Sequence, residues 1–282
     1  MTDPIIAGTD GSPNALAAAE WAADDAARRG CPLRFVSVVD RWAYGIAKFP
    51  SYEGDPLATH AERALAQADE AARRRQPGVT VSTEIIEGLP AKVLRDKAKE
   101  ATEVVLGSRG LGGFAGIVVG SVSTHVAGQA HGPVVVVRPG WEDKHGEVVV
   151  GIDDSEECEP AVAYAFEQAR LRGGALRAVF AWQFPVHAFA TEITYDMDEV
   201  REAQQRAATQ KIDVWRSEYP DVPVTEDVLF AHPVDALTDA SSKADLLVVG
   251  SHGRGALGSV VLGSVSRAVL HHAHCPVAVV RS

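Results

Sequence analysis

Short apolar runs alternate with longer amphipathic stretches along the whole chain. In the first half, Val- and Ile-rich runs lie at 4–8, 34–40, 79–87, 103–107 and 134–138. Runs of this length predict strands, and the stretches between them have the helical period; helices are predicted at 15–30, at 57–76, from Pro90 onward and at 121–130. Buried strands that alternate with helices predict a parallel sheet with helices on both faces, which is the doubly wound architecture.

The second half repeats this pattern, and its landmarks keep one fixed offset, the distance from Asp10 to Asp153. The other matching pairs are Arg34 and Arg177, Pro90 and Pro233, Gly107 and Gly250, Gly120 and Gly263, Pro133 and Pro276, and Arg138 and Arg281. A period this long indicates a duplicated domain rather than a solenoid. The predicted fold class is therefore α/β, with two tandem doubly wound parallel five-stranded sheets. The predicted domains are 1–140 and 147–282, joined by a polar linker at 139–147.

A glycine-serine pattern occurs once in each half, between a predicted strand and a predicted helix. In the first half Gly107-Ser108-Arg109-Gly110 is followed, after nine residues, by Gly120-Ser121; in the second, Gly250-Ser251-His252-Gly253 is followed by Gly263-Ser264. Glycine lets the main chain approach phosphate oxygens, and the free amides at a helix N-terminus bind anions. Turn and cap chemistry alone would explain one copy. Identical spacing in both halves favours phosphate binding, and neither copy is a P-loop or a G-x-G-x-x-G motif.

Asp10 and Asp153 each lie where the first strand of a half meets its first helix. At the switch point of an open sheet, a carboxylate accepts hydrogen bonds from ribose or adenine, or holds Mg²⁺ through water. The alternative is a turn residue, with Ser12 or Ser155 as the helix cap. We favour the ligand role for both aspartates.

Together, the glycine-serine pattern and the aspartate after the first strand resemble the ATP-binding branch of the universal stress protein family, once per half. The resemblance implies a Rossmann-like, adenine nucleotide alpha hydrolase-like fold, with ATP and Mg²⁺ as the ligands. It implies phosphate and ribose contacts from Gly107, Gly110, Gly120 and Ser121, and from Gly250, Gly253, Gly263 and Ser264. It also implies phosphate contacts from Ser123 and Ser266, and adenine contacts from Val38 and from the smaller Ala181.

Charge and composition exclude several other classes. The formal net charge of −11 disfavours nucleic acid and anionic membrane surfaces as partners. The three cysteines, Cys31, Cys158 and Cys275, do not form a pattern typical of disulfides or zinc, which indicates a reducing compartment. No apolar run is long enough for a membrane span, and no signal segment is recognisable, so we expect a cytoplasmic protein.

Several other residues offer weaker candidates. His271, His272, His274 and Cys275 suggest a metal site, but only His271 and His274 share a helix face, so a solvated last turn is favoured. Trp42 and Trp182 could stack on a base or pack in the core. Arg109 and His252 lie inside the two loops and could contact phosphate or point to solvent.

Three functions remain open at this stage. The first, which the resemblance implies, is an ATP-binding regulator of the stress response with at most slow hydrolysis and an unknown protein partner. The second is an enzyme that transfers adenylyl groups or cleaves phosphate in the same pocket. The third is an interaction module with a structural nucleotide, in which the strands VVVVR and VAVVR pair, with a homodimer of tandem chains as a further expectation.

Overall fold

The chain is described from a computed structural model that covers residues 2–41, 55–112, 118–142, 144–183, 197–253 and 262–281. Contacts between residues divide it into two units. Unit 1 comprises Met1–Glu142, Gly258–Leu262 and Pro276–Ser282, and unit 2 comprises Asp143–Leu257 and Gly263–Cys275. Each unit is an α/β structure with parallel strands, which confirms the predicted fold class. The boundaries 1–140 and 147–282 stay a prediction.

Unit 1 is built on five parallel strands in the order β3-β2-β1-β4-β5. The strands are β1 (Ile5–Gly8), β2 (Leu33–Val39), β3 (Val81–Glu87), β4 (Glu103–Gly107) and β5 (Gly132–Val137). The β1 and β4 side chains are almost fully buried because helices cover both faces of these central strands. The chain reverses its winding between β2 and β4, on either side of β1, which is where open parallel sheets bind ligands.

Within the described ranges of unit 1, four helices cover the sheet, in two pairs. They are α1 (Pro13–Arg29), α2 (Pro56–Arg75), α3 (Pro90–Lys97) and α4 (Ser121–Gln129), with a 3₁₀ turn at Ala98–Glu100. Helix α1 packs against α2, and α3 packs against α4. The caps of α1 set its length: proline begins it with a φ already suited to a helix, and Gly30 ends it in the left-handed conformation, at φ 62°.

The described residues of unit 2 form four parallel strands in the order β9-β6-β7-β8, one fewer than predicted, because the last strand of the chain belongs to unit 1. These are β6 (Glu147–Ile152), β7 (Ala175–Trp182), β8 (Val224–Phe230) and β9 (Leu246–Gly250). Its helices are α5 (Glu159–Arg172), α6 (Met197–Glu218), α7 (Pro233–Ser241) and α8 (Ser264–His272), with a 3₁₀ turn at Glu156–Cys158. The connections repeat the strand-helix order of unit 1, as a duplicated domain requires.

The last strand, β10 (Val277–Arg281), pairs antiparallel with β5, so that Ala278 lies opposite Val135. This confirms the predicted pairing of the two Val-rich final strands. The pairing also explains why β10 belongs to unit 1. The guanidinium of Arg281 then donates to the carbonyl oxygen of Gly128 at 2.7 Å, near the end of α4.

The linker predicted at 139–147 is held by specific contacts in each unit. In unit 1 the Trp141 indole donates to the carbonyl oxygen of Ala17 at 3.1 Å. In unit 2 the carboxylate of Asp245 accepts hydrogen bonds from the main-chain amides of Lys144, His145 and Gly146 at 2.7, 2.9 and 2.7 Å. Asp245 is 4% exposed, so these amides satisfy a buried charge.

We expect Asp245→Ala to lower the free energy of unfolding by about 2 kcal/mol, since three main-chain amides lose a buried, charged acceptor. Urea denaturation followed by circular dichroism measures the change. Asp221→Ala removes an exposed carboxylate of the same unit and serves as the control. If Asp245→Ala and the control had equal urea midpoints, the three hydrogen bonds to Asp245 would contribute no stability.

Candidate functional site

A cavity of about 560 Å³ opens in unit 1 at the carboxyl ends of β1, β2 and β4. It is lined by every first-half residue that the sequence marks as a site residue: Asp10, Val38, Gly107, Gly110, Gly120, Ser121 and Ser123. These residues come from four different segments of the chain, and the fold brings them to one place. Their role in holding a nucleotide stays a prediction.

The carboxylate of Asp10 ties two loops of the cavity together. Its Oδ1 accepts from the Ser12 amide at 3.0 Å, and its Oδ2 accepts from the Leu111 amide at 2.8 Å. A methyl group on Gly110 would overlap Oδ2 of Asp10, so only glycine allows this close approach. The aspartate therefore fixes the path of the glycine loop directly.

Gly107 lies against the first turn of α1. A Cβ atom built there would lie 2.6 Å from the Asn14 carbonyl carbon and 2.8 Å from the Ala15 nitrogen. Neither main-chain atom can move without shifting the helix. The absence of a side chain at Gly107 thus sets the distance between β4 and α1.

The start of α4 presents main-chain amides to the cavity. The Gly120 amide donates to the Ser108 carbonyl oxygen at 2.7 Å, which closes the loop at its end. Gly120 has no side chain to cap the helix, and the helix has no side-chain cap. The next residues, Ser121 and Val122, line the cavity, where the first amides of a helix have no partner within the helix. This arrangement suits an anion.

Ser123 has a different geometry from the one that the resemblance implies. Its side chain is buried, and the hydroxyl donates to the Gly107 carbonyl oxygen at 2.7 Å. Because a serine has one hydroxyl proton, this group cannot donate to a phosphate while it holds the loop. Ser266 has the same geometry in unit 2, where its hydroxyl donates to the Gly250 carbonyl oxygen at 2.6 Å.

The cap chemistry that competed with the ligand role is present as well. The Ser12 hydroxyl accepts from the Ala15 amide at 3.2 Å and caps α1, which confirms that part of the alternative. The same hydroxyl donates to the Arg109 carbonyl oxygen at 3.2 Å. Capping and support of the glycine loop therefore coexist in one serine.

Sequence reasoning missed four polar residues that line the cavity: Thr9, Ser37, Asp40 and His60. The His60 ring lies 3.0 Å from the Asp10 carbonyl oxygen through Nε2, which must carry the proton because a carbonyl only accepts. Ser37 on β2 is 4% exposed and lines the cavity. An apolar run does not single out a serine within it, and His60 lies far from Asp10 in sequence. The remaining wall is mostly apolar, formed by Val36, Val38, Leu57, Leu94 and Leu106.

Unit 2 repeats the main-chain framework of this site. The Gly263 amide donates to the Ser251 carbonyl oxygen at 2.9 Å, and a Cβ on Gly253 would lie 2.5 Å from Oδ2 of Asp153. Helix α8 begins at Ser264 with no side-chain cap. Ala181 lies on β7, at the position that Val38 has on β2.

The first loop of unit 2 departs from that of unit 1. Ser155 makes no side-chain cap, so this part of the cap alternative is wrong. Its hydroxyl and its amide both donate to Oδ1 of Asp153. The chain then forms a 3₁₀ turn before α5 begins at Glu159.

The weaker candidates are placed as follows. Trp182 is buried and packs edge-on against Phe230, with 4.9 Å between ring centroids, while Trp42 lies outside the described residues. Arg109 lines the cavity of unit 1, and the His252 ring lies 3.0 Å from the Ser251 hydroxyl.

In the described ranges, no three His, Cys, Asp or Glu side chains are grouped to hold a metal ion. No helix within these ranges has the length and apolar character needed to cross a bilayer.

A parallel sheet with a glycine-serine loop, present twice in one chain, defines a tandem protein of the Rossmann-like α/β class. The chain belongs to the universal stress protein family, whose sequence model matches residues 1–138 and 145–281. Among similar proteins, universal stress protein Rv2005c of Mycobacterium tuberculosis is 36% identical over 294 residues, which cover 98% of this chain and 96% of the relative. Universal stress protein Rv1996 of the same organism is 34% identical over 303 residues, with 98% and 94% covered. The crystal structure of a universal stress protein from Archaeoglobus fulgidus matches with a TM-score of 0.74 at 21% identity, covering 100% of this chain and 99% of that one, and it supports the fold alone.

Proposed function

We propose that unit 1 binds an adenine nucleotide, ATP with Mg²⁺, and that the chain is an ATP-binding universal stress protein. One observation carries this proposal. The amides at the start of α4 and the glycine loop converge on the same cavity as a mostly apolar wall. An anionic tail and a flat base need these two environments side by side.

The cavity volume of about 560 Å³ falls within the range of small-molecule sites. Its phosphate end is supplied by main-chain donors rather than by a basic surface, which fits a chain with a formal net charge of −11. Asp10 is the residue that would hold Mg²⁺ through water, because a hard cation prefers carboxylate oxygen. The cation would neutralise part of the phosphate charge.

The regulatory role in the stress response, with at most slow hydrolysis, is the part of the proposal that rests on the family. It includes cytoplasmic location, association into a dimer of tandem chains and an unidentified protein partner. The three cysteines, Cys31, Cys158 and Cys275, are free thiols and buried, which suits a reducing compartment. Steady-state turnover of ATP above a slow background would contradict the regulatory part and favour an enzyme.

Calorimetric titration of nucleotide-free protein with ATP, with and without Mg²⁺, tests the binding proposal. We expect heat from ATP and from AMP, and retention of adenine nucleotide by the protein after gel filtration. Inorganic triphosphate tests the phosphate end alone and should bind more weakly, since it cannot use the apolar wall. No heat from folded protein with ATP and Mg²⁺ would reject the proposal.

Asp10→Asn is expected to weaken ATP binding at unit 1 by about tenfold, because an amide nitrogen would face one of the two main-chain amides that Asp10 now accepts from. The same titration measures it. The control is Asp69→Asn, which removes a charge from an exposed ion pair with Arg73 in the same unit. Equal affinities for the two variants would exclude a role of the carboxylate in shaping the site.

A further inference from the structure

The loops that follow the first strand of each unit differ strongly in charge. In unit 1, residues 10–16 contain one carboxylate, Asp10. The matching residues of unit 2 contain five, at Asp153, Asp154, Glu156, Glu157 and Glu159. The four that have no counterpart in unit 1 are all exposed. Acidic residues near the N-terminus of a helix stabilise it, so these carboxylates are favourable for α5. The same carboxylates repel an anionic ligand.

The described geometry places this acidic loop beside the glycine loop of unit 2. A Cβ on Gly250 would lie 3.5 Å from the Glu157 carbonyl oxygen, and Gly253 abuts the Asp153 carboxylate. In unit 1 the corresponding neighbour of Gly107 is Asn14, which is uncharged. The additional carboxylates therefore lie in the loop that borders the phosphate end of the second site.

Unit 1 has one carboxylate that unit 2 lacks, since Asp40 lines its cavity and the matching residue of unit 2 is Gln183. This carboxylate and the positive charge in unit 2 offset only part of the difference. Each glycine loop has one arginine in sequence, Arg109 in the first and Arg254 in the second, and Arg254 lies outside the described residues. The ammonium group of Lys211 donates to the Ser155 carbonyl oxygen at 2.6 Å and adds one positive charge. Burial raises the pKa of the Cys158 thiol, although Asp153, through its main chain, and Lys211 oppose the rise, so the thiol stays neutral near pH 7.

The two units also differ at the wall of the site. Ser37 lines the cavity of unit 1 with a polar hydroxyl group. The matching residue in unit 2 is Phe180, a buried phenyl group on β7. At this position unit 1 therefore has a hydroxyl group, and unit 2 has an apolar ring.

We propose that the two units are unequal nucleotide sites, and that unit 1 is filled first by ligands with a polyphosphate tail. This inference rests on the proposed function. The repulsion from the acidic loop grows with the charge of the ligand and falls with salt, because its carboxylates are exposed to solvent. Unit 2 is thus expected to bind ATP about tenfold more weakly than unit 1, and to differ less from unit 1 for AMP.

The test isolates each unit in the full chain. Gly253→Ala leaves unit 1 as the intact site, and Gly110→Ala leaves unit 2. Both variants are titrated with ATP and with AMP, with Mg²⁺ and in EDTA, at low and high NaCl. We expect the difference in affinity between the two units to be largest for ATP at low salt and to decrease at high salt. For AMP, the difference in affinity should be smaller at either salt concentration.

A second set of variants tests the cause. In the Gly110→Ala chain, we expect ATP binding at unit 2 to become about fivefold tighter at low salt when three glutamates are replaced together. The replacements are Glu156→Gln, Glu157→Gln and Glu159→Gln. The matched control is Glu218→Gln, Asp221→Asn and Asp239→Asn, which changes the net charge equally at exposed positions away from the site. Pro13→Glu in the Gly253→Ala chain should weaken ATP binding at unit 1, with Pro13→Gln as its control.

The outcomes separate this inference from the proposed function. If the unaltered chain binds no nucleotide, the proposed function fails. If ATP binds both units with equal affinity and equal salt dependence, the proposed function stands and the inequality is refuted. If the units differ but the glutamine variants behave like their control, the acidic loop is not the cause and the inference is refuted as stated.

Discussion

Gly107→Ala is expected to lower the free energy of unfolding by about 3 kcal/mol, the upper part of the range for overpacking a close-packed interior. The new methyl group would meet the Asn14 carbonyl carbon at 2.6 Å and its oxygen at 2.7 Å. These are main-chain atoms in the first turn of α1, so the clash cannot be relieved by rotating a side chain. The first turn must move away from β4, and the carboxylate of Asp10 moves with the loop before it.

The duplicated domain supplies a matched comparison for this variant. At Gly250 the nearest atom to a new Cβ is the His252 carbonyl oxygen at 3.1 Å, so Gly250→Ala should cost about 1 kcal/mol or less. Gly78→Ala is the neutral control, because a Cβ there meets no atom within 4 Å. Urea denaturation of the three variants measures the differences. A Gly107→Ala protein as stable as the Gly78→Ala protein would show that the contact with α1 relaxes without cost.

The order of elements could be predicted from the sequence because it depends on local periodicity. The runs at 4–8 and 103–107 have the length of buried strands, and the structure places β1 (Ile5–Gly8) and β4 (Glu103–Gly107) there. The start at Pro90 was equally local, because this proline begins α3, and the helix predicted from residue 57 begins one residue earlier, at Pro56. The repeat offset then extended each assignment to the second half.

Features that depend on pairing between distant segments could not be predicted in this way. Nothing near Asp245 in sequence indicates that its carboxylate accepts from three amides of the linker. The resemblance also assigned Ser123 to a phosphate, whereas its hydroxyl holds the Gly107 carbonyl oxygen. A motif gives the residue type at a position, but the direction of its single proton depends on which acceptor the folded chain brings near.

The same limit applies to the difference between the two halves. The glycine-serine spacing is identical in both, and on that pattern alone the two sites are equivalent. Between the landmarks, however, the first loops have diverged from one carboxylate to five. Only the contact between Gly250 and Glu157 shows that this divergence borders the glycine loop. The identical glycine-serine pattern therefore predicts the same main-chain geometry in both units. The charge of the neighbouring residues determines which ligand each unit prefers.

Gly110→Ala is expected to weaken ATP binding at unit 1 by about 100-fold, the largest effect on binding that the geometry predicts. The added methyl group takes the position that Oδ2 of Asp10 now approaches, so the carboxylate must rotate away and release the Leu111 amide. Loss of a hydrogen bond to a charged group costs about 2 kcal/mol, and the methyl group also keeps phosphate oxygens from the main chain. Together these terms correspond to about two orders of magnitude in affinity.

Stability should change little in this variant, because the displaced atom is the end of a side chain rather than the main chain. That contrast with Gly107→Ala is what makes Gly110→Ala a test of the site instead of the fold. The measurement is calorimetric titration with ATP in a Gly253→Ala chain, so that heat reports on unit 1 alone, with Gly78→Ala in the same chain as the control. If the Gly110→Ala protein binds ATP as tightly as that control, the glycine loop does not hold the phosphates. A loss of ATP binding with an unchanged urea midpoint would instead assign the phosphate end of the nucleotide to this loop.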